Sequence, residues 1–144
     1  MNVFNDLPAL KSVALASVLV GLNMIVLAGM TGAARAKTKS FNNPEDARGA
    51  PVNIEDEKVS RLKRAHQNAI ESAIMFFPVA LLYVLSGASE NATRAYCFTY
   101  AGARILHSVV YLAGKQPWRT IMYSVGTLAI AGMMVHLVRV GLGV

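Results

Sequence analysis

The chain has 144 residues, the length of one domain, 1–144. It is 54% hydrophobic and only 15% charged, against roughly 25% charged in soluble domains, which excludes an ordinary soluble protein. A net charge of +6 would suit nucleic acid only on a polar domain with a basic, aromatic-bearing face, and no such face is present. One cysteine, Cys97, excludes an internal disulfide and a cysteine metal cluster, and three scattered histidines make no metal site.

The first apolar segment, 13–32, is broken only by Ser17, Asn23 and Thr31. Lys11, this run and Ala34-Arg35-Ala36 follow the order of a cleaved leader. The run is longer than the ~7–15 residues of such a region, so a retained helix is expected. A basic stretch follows from Arg35 to Lys63, with a loop over about 35–56 and a turn or helix start at Asn43-Pro44-Glu45-Asp46. Segments 69–86, 95–113 and 121–138 are again apolar, with Glu71, then Arg104 and His107, then His136 inside them. Each segment is near the ~20 residues that cross hydrocarbon, and backbone groups in lipid must be satisfied within a helix. The prediction is an all-α membrane protein: a bundle of four transmembrane helices at about 12–34, 57–86, 93–113 and 117–141. The first loop and the turn at 114–120, with Lys115 and Arg119, hold most of the positive charge. The positive-inside rule places both in the cytoplasm and both termini on the other side.

Polar residues interrupt the apolar segments in register. Arg64, Asn68 and Glu71 are spaced i, i+4, i+7 on one face of the second helix. Arg104, His107 and Tyr111 share one face of the third, and Arg119 and Tyr123 one face of the fourth. All lie toward the cytoplasmic end. A charge at a helix centre costs about 2.5–3.5 kcal/mol on insertion scales, so Glu71 and Arg104 are expected to face inward and pair. A structural ion pair explains those two alone. It does not explain Arg64, His66, His107, Tyr111, Arg119 and Tyr123 at the same depth. A surplus of cations with hydroxyl donors suits an anionic ligand, and arginine forks suit carboxylates. Cys97 and the seven methionines are expected to pack, His136 to be satisfied near the membrane surface, and Asn23 to bond across helices.

The stretches FNNPEDA, RAHQNAIES, GARILHSVVYL and WRTIMY, in this order and at these separations, resemble the MAPEG family, the membrane-associated proteins in eicosanoid and glutathione metabolism. The resemblance implies a homotrimer of four-helix subunits with glutathione at each subunit interface. It makes Arg35, Arg64, His66, Gln67, Asn68, Glu71, Arg104, His107, Tyr111, Arg119 and Tyr123 candidate glutathione-site residues, with Arg104 the partner of Glu71. It points to Asp46, Arg119 and Thr120 as reacting groups, Thr120 standing where an endoperoxide-isomerising branch has serine. Gln67, Ala69 and Asn23 depart from the family pattern, which has arginine in that branch, aspartate and lysine there.

The implied activity is a glutathione transferase that raises the thiolate fraction of its cosubstrate and directs it at lipophilic electrophiles or lipid hydroperoxides arriving from the bilayer. A prostaglandin E synthase-like isomerase is the enzymatic alternative. A non-catalytic lipid-binding scaffold would not need the whole Arg/His/Tyr set, and a proton-coupled transporter lacks the internal repeat common to such folds. The expected partners are further copies of the chain, membrane lipid and a lipophilic small molecule, with no nucleic acid. The expected membrane is the endoplasmic reticulum in a eukaryote and the inner membrane in a bacterium.

Overall fold

The structure, a computed structural model, describes residues 3–41, 43, 45–47 and 56–144. Pro44 of the expected turn and Arg48 of the basic loop lie outside the described residues. The described chain is helical throughout its ordered elements: a single turn α1 (Val3–Asp6), then α2 (Ala9–Thr38), α3 (Glu57–Leu85), α4 (Glu90–Leu112) and α5 (Trp118–Leu142). Three of these, α2, α3 and α5, are long and apolar enough to cross a membrane. The fourth long helix, α4, is more polar, carrying Glu90, Asn91, Arg94 and Arg104.

Local signals fix where the helices start. The Asp56 carboxylate accepts from the Lys58 amide at 2.9 Å, and the Ser89 hydroxyl from the Ala92 amide at 3.3 Å. Each satisfies a donor that the first helical turn leaves open. Glu57 and Glu90 follow in the first turns, where acids meet the positive end of the helix dipole. The α4–α5 turn favours Gly114 because its φ is +68°, in the left-handed region that a Cβ strains. Pro78 removes one ladder donor inside α3, a loss that membrane helices tolerate when neighbours satisfy the freed carbonyl.

Small residues set the packing. Ala65, Ala69, Ala73 and Ala80 make a buried stripe along α3, and such stripes let helix backbones approach where lipid offers no hydrophobic drive. The main core joins Ala16 and Val20 of α2, Phe76 of α3, Cys97 and Tyr100 of α4, and Ile130 and Met133 of α5. Phe76 and Tyr100 stack with centroids 4.1 Å apart and planes 11° apart, and the Tyr100 hydroxyl bonds Ser72 at 2.9 Å. The outer faces are apolar instead of polar: Leu15, Val18, Ile25, Leu128 and Val135 are all more than half exposed. That is the pattern of a surface meant for hydrocarbon.

Far from the polar stripes, His136 meets the C-terminal end of α3. The Ser86 hydroxyl donates to the Tyr83 carbonyl at 2.8 Å. Its one proton is therefore committed, so the His136 ring nitrogen 3.1 Å away donates to the Ser86 oxygen.

Phe76 is fully buried, so Phe76→Ala is expected to leave a cavity of order 100 Å³ and cost about 3–5 kcal/mol, the lost transfer term and the cavity term together. A thermal unfolding series in one detergent, comparing the midpoint with that of the parent, checks this.

Candidate functional site

The site is assembled where the first half of α3 faces the end of α4 and the start of α5. Arg104, on α4, is 3% exposed. Its Nη2 donates to the Asn68 carbonyl at 2.9 Å and to the Asn68 side-chain oxygen. The buried Arg104 Nε has no hydrogen-bond partner. Gly126 of α5 gives the arginine stem room, since a Cβ there would sit 3.2 Å from Arg104 Cδ.

The expected Glu71–Arg104 pair does not form in the chain. Glu71 is exposed and accepts from the Gln67 amide, one turn earlier, at 3.0 Å. Asn68 lies deeper on the same face and reaches the guanidinium first. Arg104 meets no carboxylate among the described residues. Its charge is stabilised by two neutral oxygens and by the Tyr123 ring, whose centroid lies 5.6 Å from the guanidinium carbon.

Further rings and cations alternate from there. His107, buried, lies 6.0 Å from the Tyr123 ring and 5.6 Å from the Tyr111 ring. Arg119 also lies over the Tyr111 ring, 5.1 Å from its centroid. Arg64 lines a cleft together with Tyr111 and donates to Glu57 at 2.9 Å. Aromatic faces attract cations without neutralising them, so the array remains positive.

Two clefts open beside the array. One, of about 440 Å³, is lined by Lys63, Arg64, Gln67, Asn68, Glu71 and Tyr111. The other, of about 270 Å³, is lined by Asn68, His107, Tyr111, Arg119, Thr120 and Tyr123. They share Asn68 and Tyr111. Because the Asn68 oxygen accepts from Arg104, its two N–H donors are turned away from the guanidinium.

The structure thus gathers Arg64, Gln67, Asn68, Glu71, Arg104, His107, Tyr111, Arg119, Thr120 and Tyr123. It leaves three other sequence-predicted residues outside both clefts. His66 lies two residues beyond Arg64, about 200° around α3. Arg35 is in the last turn of α2, next to Ala34, which packs on Val59 and Leu62. Asp46 bonds within its own turn, accepting from the Asn43 amide side chain at 3.2 Å. Thr120 lines the cleft, but its hydroxyl donates to the Gln116 side chain at 3.2 Å. Lys63 and Ser108 were not among the predicted site residues. Lys63 is four residues before Gln67. The Ser108 hydroxyl donates to the Arg104 carbonyl at 3.1 Å and accepts from Asn23 of α2 at 3.0 Å. Their signal in the sequence was a spacing of four from a residue already singled out.

The chain has relatives among known proteins. The MAPEG family model matches residues 13–139. The chain is 32% identical to a prostaglandin E synthase of Equus caballus over 134 residues, covering 90% of this chain and 88% of that protein. It is 35% identical to a microsomal glutathione S-transferase 1 of Rattus norvegicus over 124 residues, covering 81% and 80%. The human protein of that name is 36% identical over 111 residues, covering 72% of each chain. With its apolar helices, this match makes the protein an integral membrane protein, and the chain belongs to the MAPEG family.

Proposed function

We propose that the chain is a glutathione-dependent transferase of lipophilic electrophiles and lipid hydroperoxides, working as a homotrimer of four-span subunits with α4 as the fourth span. The carrying observation is the charge pattern of the joined clefts: Lys63, Arg64 and Arg119 with one carboxylate, Glu71. Glutathione at neutral pH presents two carboxylates and one ammonium group. The donor set fits this complement, with arginine forks for the carboxylates and Glu71 for the ammonium. Related proteins named as a glutathione S-transferase and a prostaglandin E synthase support the same class of chemistry. On this reading Arg35 and Asp46, outside the clefts within one chain, join the site from a neighbouring subunit. The basic loops face the cytoplasm, at the endoplasmic reticulum in a eukaryote or the inner membrane in a bacterium.

When bound, glutathione supplies a thiol that, like free cysteine with its pKa of about 8.5, is mostly protonated at pH 7. Arg119 is held against the Tyr111 ring and brings a planar guanidinium fork. It is the fixed charge that favours a sulfur anion in the smaller cleft. Thr120 adds a hydroxyl donor once it turns from Gln116. Asn68 offers N–H groups oriented by Arg104. Lowering a thiol pKa by about 2 units requires roughly 2.7 kcal/mol of preferential stabilisation, within reach of one charged and one neutral donor in a partly dry site. The adjacent Arg119 and Thr120 also suit an endoperoxide isomerase. Asp46, bonded in its own turn, gives that second reading less support.

Two measurements test this. Purified protein is expected to conjugate glutathione to 1-chloro-2,4-dinitrobenzene. Arg119→Ala should lower kcat/KM by about 100-fold, the kinetic equivalent of the same 2.7 kcal/mol, with helicity and assembly unchanged; equal turnover refutes the role given to Arg119. Asn68→Asp would place a carboxylate on Arg104. It should keep or raise the thermal midpoint while weakening glutathione binding about tenfold by calorimetry. Asn68→Leu should lose both, at a stability cost of about 1–3 kcal/mol for the deprived guanidinium. Full affinity in the Asp variant would contradict the electrostatic account.

A further inference from the structure

Basic residues from three separate segments meet at one end of the bundle. Ala34, near the end of α2, packs with Val59 and Leu62 of α3 and with Leu112 at the end of α4. The Asp56 amide donates to the Ser40 hydroxyl at 3.4 Å, tying the exit of α2 to the start of α3. The Arg61 guanidinium reaches the α4–α5 turn at Gly114. These contacts bring Lys37 and Lys39 of the α2 exit, Lys58 and Arg61 of α3, and Lys115 of the turn to the same end, and the lysines are exposed. The acids at the start of α3 are already engaged. Asp56 accepts from the Lys58 amide, and Glu57 accepts from Arg64 at 2.9 Å and lies 3.7 Å from Arg61. The opposite end shows no such excess among the described residues, since Lys11, Arg94 and Arg139 are mixed with Asp6 and Glu90.

Depth decides what this patch faces. Lys37 follows the apolar run 13–32 by about 8 Å of helix, and headgroups occupy roughly the outer 5–8 Å on each side of a bilayer. Trp118, just beyond Lys115, is 56% exposed, and tryptophan favours that same level. A lysine ammonium keeps its water on a flexible stem, so it reaches a phosphodiester without leaving the interface. We propose that Lys37, Lys39, Lys58, Arg61 and Lys115 form a binding surface for the headgroups of anionic phospholipids in the surrounding leaflet. The surface uses none of the cleft residues and does not rest on the glutathione reading.

Trp118 is the one tryptophan of the chain, so its fluorescence reports on lipid beside the patch. The full-length protein is reconstituted into mixed vesicles of phosphatidylcholine and phosphatidylglycerol, with quenching bromines high on the acyl chains of one lipid or the other. At low salt, phosphatidylglycerol is expected to be preferred beside Trp118 by about fivefold, the scale of one retained lysine contact with an anionic surface. Raising NaCl to about 0.5 M should bring the two lipids within about twofold of each other, because screening shortens. Lys37→Gln, Lys39→Gln and Lys115→Gln together should do the same at low salt, whereas Lys11→Gln with Arg94→Gln, at the other end, should leave the preference unchanged. Equal quenching by both lipids in the parent protein, a preference that survives the triple substitution, or an equal loss in the opposite-end variant overturns the proposal. If the triple variant does not fold, the salt series on the parent decides: a preference lost in high salt supports the patch, and one undiminished rejects it. Displacement of the preferred lipid by inorganic phosphate at constant ionic strength would assign the patch to a free anion and reject the lipid.

Discussion

The site depends on how one buried cation is satisfied. Arg104 lies inside the bundle with a neutral amide, a backbone carbonyl and an aromatic face around it. A buried ion pair would meet the desolvation cost with Coulombic attraction and cancel the charge. Charge–dipole bonds also stabilise the ion but leave its field in place. The arrangement has consequences for the neighbours. Asn68 is oriented by its bond to Arg104, Gly126 leaves room for the Arg104 stem, and Ser108 ties the Arg104 turn to α2 through Asn23. Through its side chain and its backbone carbonyl, Arg104 is thus linked to α2, α3 and α5.

The helical nature of the chain and its membrane character were legible because both follow from run length and composition. The polar stripe of α3 was legible because spacings of three, four and seven define a face. What the sequence did not decide was depth along that face. Asn68 and Glu71 are three residues apart, and charge complementarity favours the acid as the partner of Arg104. Geometry favours the amide, because the arginine rises from α4 opposite Asn68 while Glu71 is left exposed beside Gln67. His66 shows the converse. Its depth along the segment and the family resemblance brought it into the candidate site, yet helical periodicity turns it away from Arg64 and Asn68. Asp46 and Arg35 belong to a loop and a helix end, where no periodicity says which surface a side chain will meet.

The alternation of Arg119, Tyr111, His107, Tyr123 and Arg104 has a physical logic that individual residues do not. Each tyrosine ring lies within 6.0 Å of two cationic or potentially cationic groups, which would repel at close range. Each ring face is also partly negative, so it offsets some of that repulsion. The result is a row of two arginines, a histidine and two tyrosines with little acid beside it among the described residues. Preorganised charge of this kind favours an anion without reorganising when the anion appears.

The same row lies at a boundary. On one side are clefts with lysine, arginine and glutamate; on the other, between α3 and α5, is a cavity whose lining joins Met75, Ile130, Ala131 and Met134 to Glu71, Ser72 and Thr127. A water-soluble thiol donor and a membrane-dissolved electrophile have no common solvent in which both are concentrated. A reaction between them is fastest where each can keep its preferred surroundings and only the reacting atoms meet. Asn68 and Tyr123 belong to both environments, so the meeting point falls between them. The proposed chemistry follows from that position as much as from the identity of any one side chain.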